Sequence, residues 1–106
     1  MSDEFKTVAR VGDLPPGEMM QVRIGRQRIG LYNVDGEYFA TDDTCSHEEA
    51  SLTEGFLFDD IVECPLHGAA FCVRTGEVEA FPAVVGIDTF PVRIVDDEIQ
   101  VNPNPK

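Results

Sequence analysis

Cys45-Ser46-His47, then sixteen residues, then Cys64-Pro65-Leu66-His67-Gly68: these two segments decide how the chain must fold. Each offers one thiol and one imidazole. Both histidines of the chain stand two or three residues from a cysteine. Turn-forming residues surround them, with Asp42-Asp43-Thr44 before the first pair, Pro65 inside the second and Gly68 after it. Spacings this short let each loop present two ligands to one site. A lone cysteine is commonly a buried hydrophobe, but two such pairs together read as a metal centre.

The order of the ligands narrows the choice of metal. Structural zinc with two cysteines and two histidines usually takes Cys-x₂₋₄-Cys followed by His-x₃₋₅-His. Here the order alternates Cys, His, Cys, His. A four-thiolate cluster is excluded, because the chain has three cysteines. Two thiolates on one iron and two imidazoles on the other is the mixed ligation of a Rieske [2Fe–2S] cluster. A zinc-stabilised binding module without redox chemistry stays open as the alternative.

Around this centre, 106 residues leave room for one domain. A core that small gains from a metal staple. A hydrophobic content of 42% argues against disorder, and no apolar run approaches the roughly 20 residues that span a bilayer. The start, Met1-Ser2-Asp3-Glu4, lacks the basic and apolar regions of a secretory signal, so the expected location is the cytoplasm. The net charge of −12 is uneven: Asp42 to Glu79 holds ten acids against one base, Arg74. Nucleic acid and anionic membrane are poor partners for that surface. A protein with a basic docking patch is a good one.

The pattern outside the centre is that of short strands and turns. Met20 to Ile24 alternates apolar with polar, Arg28 to Val34 reads as a second strand, and Glu37 to Ala40 as a third. Asp35-Gly36 between the last two is a strong hairpin signal. Pro15-Pro16-Gly17 is a turn ahead of the first long strand. Phe90 to Val95 and Glu98 to Val101 flank a turn at Asp96-Asp97, and Pro91 puts its strand on an edge or at a start. The tail, Asn102 to Lys106, is expected to fray. A short helical turn fits somewhere in Glu48–Leu52. The fold class expected is all-β: an antiparallel sandwich or barrel into which a metal-binding subdomain, about 42–82, is inserted, with 1–41 and 83–106 as the basal body. Leu52, Phe56, Leu57, Ile61, Val62, Phe71, Val73 and Val78 are the residues expected to pack the insertion onto that body. Cys72, between Phe71 and Val73, is expected to be a buried, inert thiol. Gly68 lets the backbone come close to the centre.

The motifs Cys45-Ser46-His47, Cys64-Pro65-Leu66-His67-Gly68-Ala69-Ala70-Phe71, Thr75-Gly76 and Phe81-Pro82 together resemble the Rieske-type ferredoxins of bacterial ring-hydroxylating dioxygenases. The likeness extends to Gly12-Asp13-Leu14-Pro15-Pro16-Gly17 and to Val34-Asp35-Gly36-Glu37. It implies one [2Fe–2S] cluster, with Cys45 and Cys64 on the buried iron and His47 and His67 on the outer, solvent-facing iron. It implies a monomeric, soluble carrier that takes an electron from a flavoprotein reductase and passes it to a terminal Rieske non-haem iron oxygenase. It implies that Phe81-Pro82-Ala83 is a loop covering the cluster. The rival within the family is the small subunit of a nitrite reductase or another multicomponent oxidoreductase, although such subunits often lose cluster ligands and this chain keeps all four. High-potential relatives place a serine and a tyrosine where this chain has Ala69 and Phe71, and they tie the cluster loops with a disulfide for which no third loop cysteine exists here. Glu48 stands where the family often has glycine, and with Glu49 it adds negative charge beside His47. These features imply a potential near the low end of the Rieske range, which runs from roughly −150 to +300 mV. No general base, nucleophile or second histidine–carboxylate iron site is present, so the chain is not expected to be an enzyme by itself.

Overall fold

Every residue from Ile29 to Val34 is buried, and that run organises the molecule. The computed structural model describes residues 4–44, 51–65, 68–80 and 85–105, and in it the run belongs to strand β3 (Gln27–Val34). Side chains along a strand alternate between its faces, so a strand covered on both must be apolar at nearly every position. Ile29 and Leu31 enter one core with Leu14, Val22, Ala40, Phe90, Ile99 and Val101. Tyr32 and Val34 enter a second with Leu52, Val62, Cys64, Ala69, Phe71 and Val73. Asn33 is the polar exception. Its Nδ2 donates to the Leu14 carbonyl at 2.8 Å and its Oδ1 accepts from Gly36 N at 2.8 Å, so its burial leaves nothing unsatisfied.

Three antiparallel sheets form around β3 among the described residues. The central one runs β2 (Met19–Ile24), β3, β4 (Glu37–Asp42), β9 (Thr89–Phe90). On one side of it, β1 (Lys6–Arg10), β11 (Glu98–Val101) and β10 (Val92–Val95) make a sheet in that order. On the other, β5 (Phe56–Phe58), β6 (Ile61–Glu63), β7 (Ala70–Cys72) and β8 (Val78–Ala80) make a meander contiguous in sequence. The described residues contain no α-helix, only 3-10 turns at Val11–Asp13 and Leu52–Glu54. The all-β antiparallel reading is therefore correct. In four tight hairpins the first turn residue has a positive φ: Gly25 (63°), Asp35 (54°), Asp59 (52°) and Asp96 (56°). Aspartate tolerates that region better than most residues, and Asp35-Gly36, with Gly36 at 95°, is positive at both positions as a type I′ turn requires.

Three local expectations need correction, and one strand was not expected at all. Phe90 to Val95 is not one strand: Pro91, which has no N–H to give, breaks it, so that β9 pairs with β4 and β10 with β11 in different sheets. Pro91 keeps an acceptor role, since Asn102 N donates to its carbonyl at 3.0 Å. Strand β1, where Lys6–Arg10 shows little alternation, pairs with β11 through a bulge between Thr7 and Ala9. The tail does not simply fray: Asn104 is tied to Asn102 and Glu4, and Gln27 Nε2 donates to the Pro103 carbonyl at 3.4 Å. Finally, Phe56 does not pack the third sheet onto the body. It is 57% exposed, whereas Leu52, Val62, Phe71 and Val73 are fully buried there. The helical turn expected in Glu48–Leu52 falls mostly outside the described residues, and what is described is the 3-10 turn at Leu52–Glu54.

Candidate metal centre

The described chain on either side of the expected ligand segments gathers near one end of the third sheet. The row Phe56, Glu63, Ala70, Ala80 runs across that end, each residue paired with the next. Cys64 follows Glu63 directly, and residue 81 follows Ala80. Of the four expected ligands, Cys64 is described. It is 1% exposed, in the core with Leu52, Ala69 and Phe71. Its N–H donates to the Ala69 carbonyl at 2.6 Å, closing a loop of residues 64–69. Gly68 takes φ +74° there, a backbone state that favours glycine. Cys45, His47 and His67 lie outside the described residues, as do Glu48, Glu49 and Phe81-Pro82-Ala83. Among the described residues, no three metal-ligating side chains converge.

The stem of the first loop was not foreseen from sequence. Thr44 and Ser51 pair as an antiparallel bridge, enclosing residues 45–50. Asp43 holds this stem closed. Its side chain is 1% exposed and accepts from Gln21 Nε2 at 2.6 Å, Ser51 Oγ at 2.5 Å and Thr53 N at 3.0 Å. Its own carbonyl accepts from Leu52 N at 2.7 Å. Arg28 Nη2 adds a bond to Thr44 Oγ1 at 3.3 Å. The signal for Asp43 was visible only as one of two acids in a turn; that it would be buried depends on Gln21 from β2, which no local pattern reveals.

Backbone approach joins the stems. A Cβ on Gly55 would stand 1.9 Å from the Glu63 carbonyl oxygen and 3.0 Å from Pro65 Cδ, so the chain after the first loop lies directly on the entry to the second. Similarly, a Cβ on Gly76 would meet the Ile87 carbonyl oxygen at 2.1 Å, and Ile87 N donates to the Gly76 carbonyl at 2.9 Å. That contact anchors the segment after residues 81–84 to the turn before β8. A side chain at either glycine would push two loops apart.

Electrostatics and packing complete the surroundings. Ala69 and Phe71 are fully buried in the core that holds Cys64, and neither side chain carries a hydroxyl to donate. Cys72 is buried and points Sγ toward Asp60 Oδ2 at 3.9 Å. Asp60 also receives Arg74 Nε at 3.1 Å. Arg74 lies over the Phe39 ring at 4.7 Å and pairs with Glu37 at 3.5 Å, strapping the third sheet to the central one. Tyr32, entirely buried beneath, shares a 3.0 Å hydrogen bond with Thr41, and burial pushes its phenol far above the usual range, with Asp43 and Asp42 adding to the effect.

The donor chemistry fits a two-iron cluster: each motif offers a thiol followed in sequence by an imidazole, and the one thiol described, Cys64, sits in an apolar pocket. Comparison with known proteins agrees. Residues 4–91 match the family of the Rieske [2Fe-2S] domain. The ferredoxin component of biphenyl 2,3-dioxygenase from Rhodococcus jostii (strain RHA1) is 53% identical over 91 residues, 86% of this chain and 85% of that protein. The biphenyl dioxygenase ferredoxin subunit of Pseudomonas sp. (strain KKS102) is 44% identical, covering 92% of this chain and 91% of its own length. Among solved structures, a chain in the complex of reduced oxygenase and oxidized ferredoxin in carbazole 1,9a-dioxygenase superposes with a TM-score of 0.93 at 37% identity, covering 99% of this chain and 98% of that one.

Proposed function

We propose a mechanism from one premise: the chain belongs to the Rieske [2Fe–2S] domain family, and it is a ferredoxin-type electron carrier of a ring-hydroxylating dioxygenase system, not an enzyme alone. The 53% identity to a dioxygenase ferredoxin over most of both chains carries this reading. In it, Cys45 and Cys64 would hold one iron of the cluster, and His47 and His67 the other. When bound, the cluster supplies one reversible electron.

The protein's own residues fix where and how readily that happens. The Asp43 clasp closes the stem of the first ligand-bearing segment, and the Gly55 contact holds that stem against the entry to the second. Leu52, Ala69 and Phe71 keep water from the Cys64 side. The apolar side chains at 69 and 71, with no hydroxyl to stabilise added negative charge, support a potential at the low end of the Rieske range. Glu48 and Glu49 act in the same direction. A low potential suits a carrier reduced through a flavoprotein.

The partners that suit it are a flavoprotein ferredoxin reductase and a terminal Rieske non-haem iron oxygenase, met in turn by a monomeric, cytoplasmic carrier. Among the described residues, no helix is long and apolar enough to cross a membrane. Residues 42–82 act as the cluster-binding subdomain, and 1–41 and 83–106 as the body that presents it. The rival reading, the small subunit of a nitrite reductase, is not favoured, because relatives at 44% and 53% identity are dioxygenase ferredoxins. The test is an electron paramagnetic resonance spectrum of the reduced protein, with iron and acid-labile sulfide analysis, followed by turnover with the reductase and oxygenase of a biphenyl dioxygenase. A rhombic Rieske signal and substrate-dependent NADH consumption are expected. Colourless, zinc-loaded protein would sink the reading.

A further inference from the structure

The third sheet carries a feature that neither packing nor cluster ligation uses. Phe56 and Phe58 on β5 are 57% and 60% exposed. They stand on the same face of the strand, two residues apart, with rings stacked at 6.4 Å and 26°. Strand β5 is a sheet edge. Two adjacent exposed aromatics on an edge are a liability for association unless something covers them. Phe56 sits directly opposite Glu63, the residue before Cys64, so the pair begins beside the entry to the second ligand motif.

We propose that Phe56 and Phe58 form the apolar anchor of the docking face, and that its occupant is a redox partner protein presenting an apolar socket inside a rim of lysine and arginine. The proposal rests on the carrier reading above. Charge decides the occupant. Glu54, Asp59 and Glu63 flank the two rings in sequence and across the strand pair, and none of them forms an ion pair among the described residues. A second copy of this chain would bring the same acids against themselves, at −12 net charge per molecule. A basic rim instead gains steered encounter, while the rings supply contact that salt does not screen. Two aromatics make a small anchor, suited to a complex that must dissociate after each electron.

The division of labour gives a two-part test on the cluster-loaded protein. Phe56→Ser and Phe58→Ser, singly and together, are compared with wild type in reduction by the reductase and in electron delivery to the oxygenase of a biphenyl dioxygenase. Ionic strength is varied throughout. The double variant is expected to raise the apparent KM for at least one partner by about tenfold or more, with kcat at saturation unchanged and the same factor at low and high salt. Phe58→Leu should recover most of the loss. Glu54→Gln with Asp59→Asn should flatten the salt dependence instead. The cluster's spectrum and its reduction by dithionite should be the same in every variant, which keeps a failure of docking separate from a failure of the carrier reading. An unchanged KM with both partners, or a wild-type protein that sediments as a dimer dissociated by the phenylalanine substitutions, would overturn the proposal.

Discussion

Replacing Asp43 with alanine removes the clasp beneath the first cluster loop, and its cost can be worked from the contacts. The carboxylate accepts three hydrogen bonds at 2.5 to 3.0 Å while 1% exposed. A hydrogen bond to a charged group contributes about 1.5–3 kcal/mol. The donors at Gln21, Ser51 and Thr53 are not fully buried, so water replaces part of each, and the Leu52 N–H keeps its bond to the Asp43 carbonyl. A net loss of about 3 kcal/mol follows. For a domain of this size that lowers Tm by roughly 10 to 20 °C. Asp43→Asn should cost less, about 1 to 2 kcal/mol, because Oδ1 still accepts from Thr53 N and the Ser51 hydroxyl can reverse, while the Gln21 amide must turn over to present its oxygen to the new Nδ2. The assay is thermal unfolding by circular dichroism, with iron and labile sulfide per chain measured on the same samples. If Asp43→Ala melts within 2 or 3 °C of wild type and keeps full cluster content, the clasp does not hold the loop.

Gly55→Ala places a methyl 1.9 Å from the Glu63 carbonyl oxygen and should destabilise the fold by several kcal/mol, about 3 or more, with loss of bound iron; Gly12→Ala, with nothing within 4 Å, is the control and should melt near wild type. Tyr32 is held protonated in the fold by burial. The unfolded state therefore binds fewer protons than the native one above about pH 10, and stability should fall as pH rises past that point. Tyr32→Phe should flatten that alkaline limb in denaturant titrations, at a cost of about 1 kcal/mol at neutral pH for the lost Thr41 bond. Arg74→Ala should cost under about 1 kcal/mol, since its pairs with Asp60 and Glu37 are partly solvent-exposed, with side chains 41%, 34% and 66% accessible; an effect of 3 kcal/mol in urea unfolding would mean that the strap between the sheets matters more than its exposure allows.

What could be read from the chain alone follows from which interactions are local. Asp35-Gly36 between two strand-forming runs fixed a hairpin, because turn geometry and strand propensity act over a few residues. The motifs expected to hold the ligands stand out for the same reason, since two donors a few residues apart leave a spacing in the sequence; of the four, Cys64 is the one described. Pro91 announced an edge, yet its division of one apolar run between two sheets depends on where β4 and β11 lie. Asp43 and Gly55 were invisible as site residues, since their roles rest on Gln21 and Glu63, distant in sequence. Phe56 misled for the complementary reason. Its hydrophobicity and strand position fit an inward residue, but the inward face of β5 belongs to Leu57.

Strand β3 gives its odd residues Ile29 and Leu31 to one interior and its even residues Tyr32 and Val34 to the other. Neither interior can loosen without stripping cover from a strand the other also needs. The iron-holding end and the base are thus coupled in their melting, and damage at the cluster is transmitted to the whole protein as lost cooperativity instead of ending as a local tear.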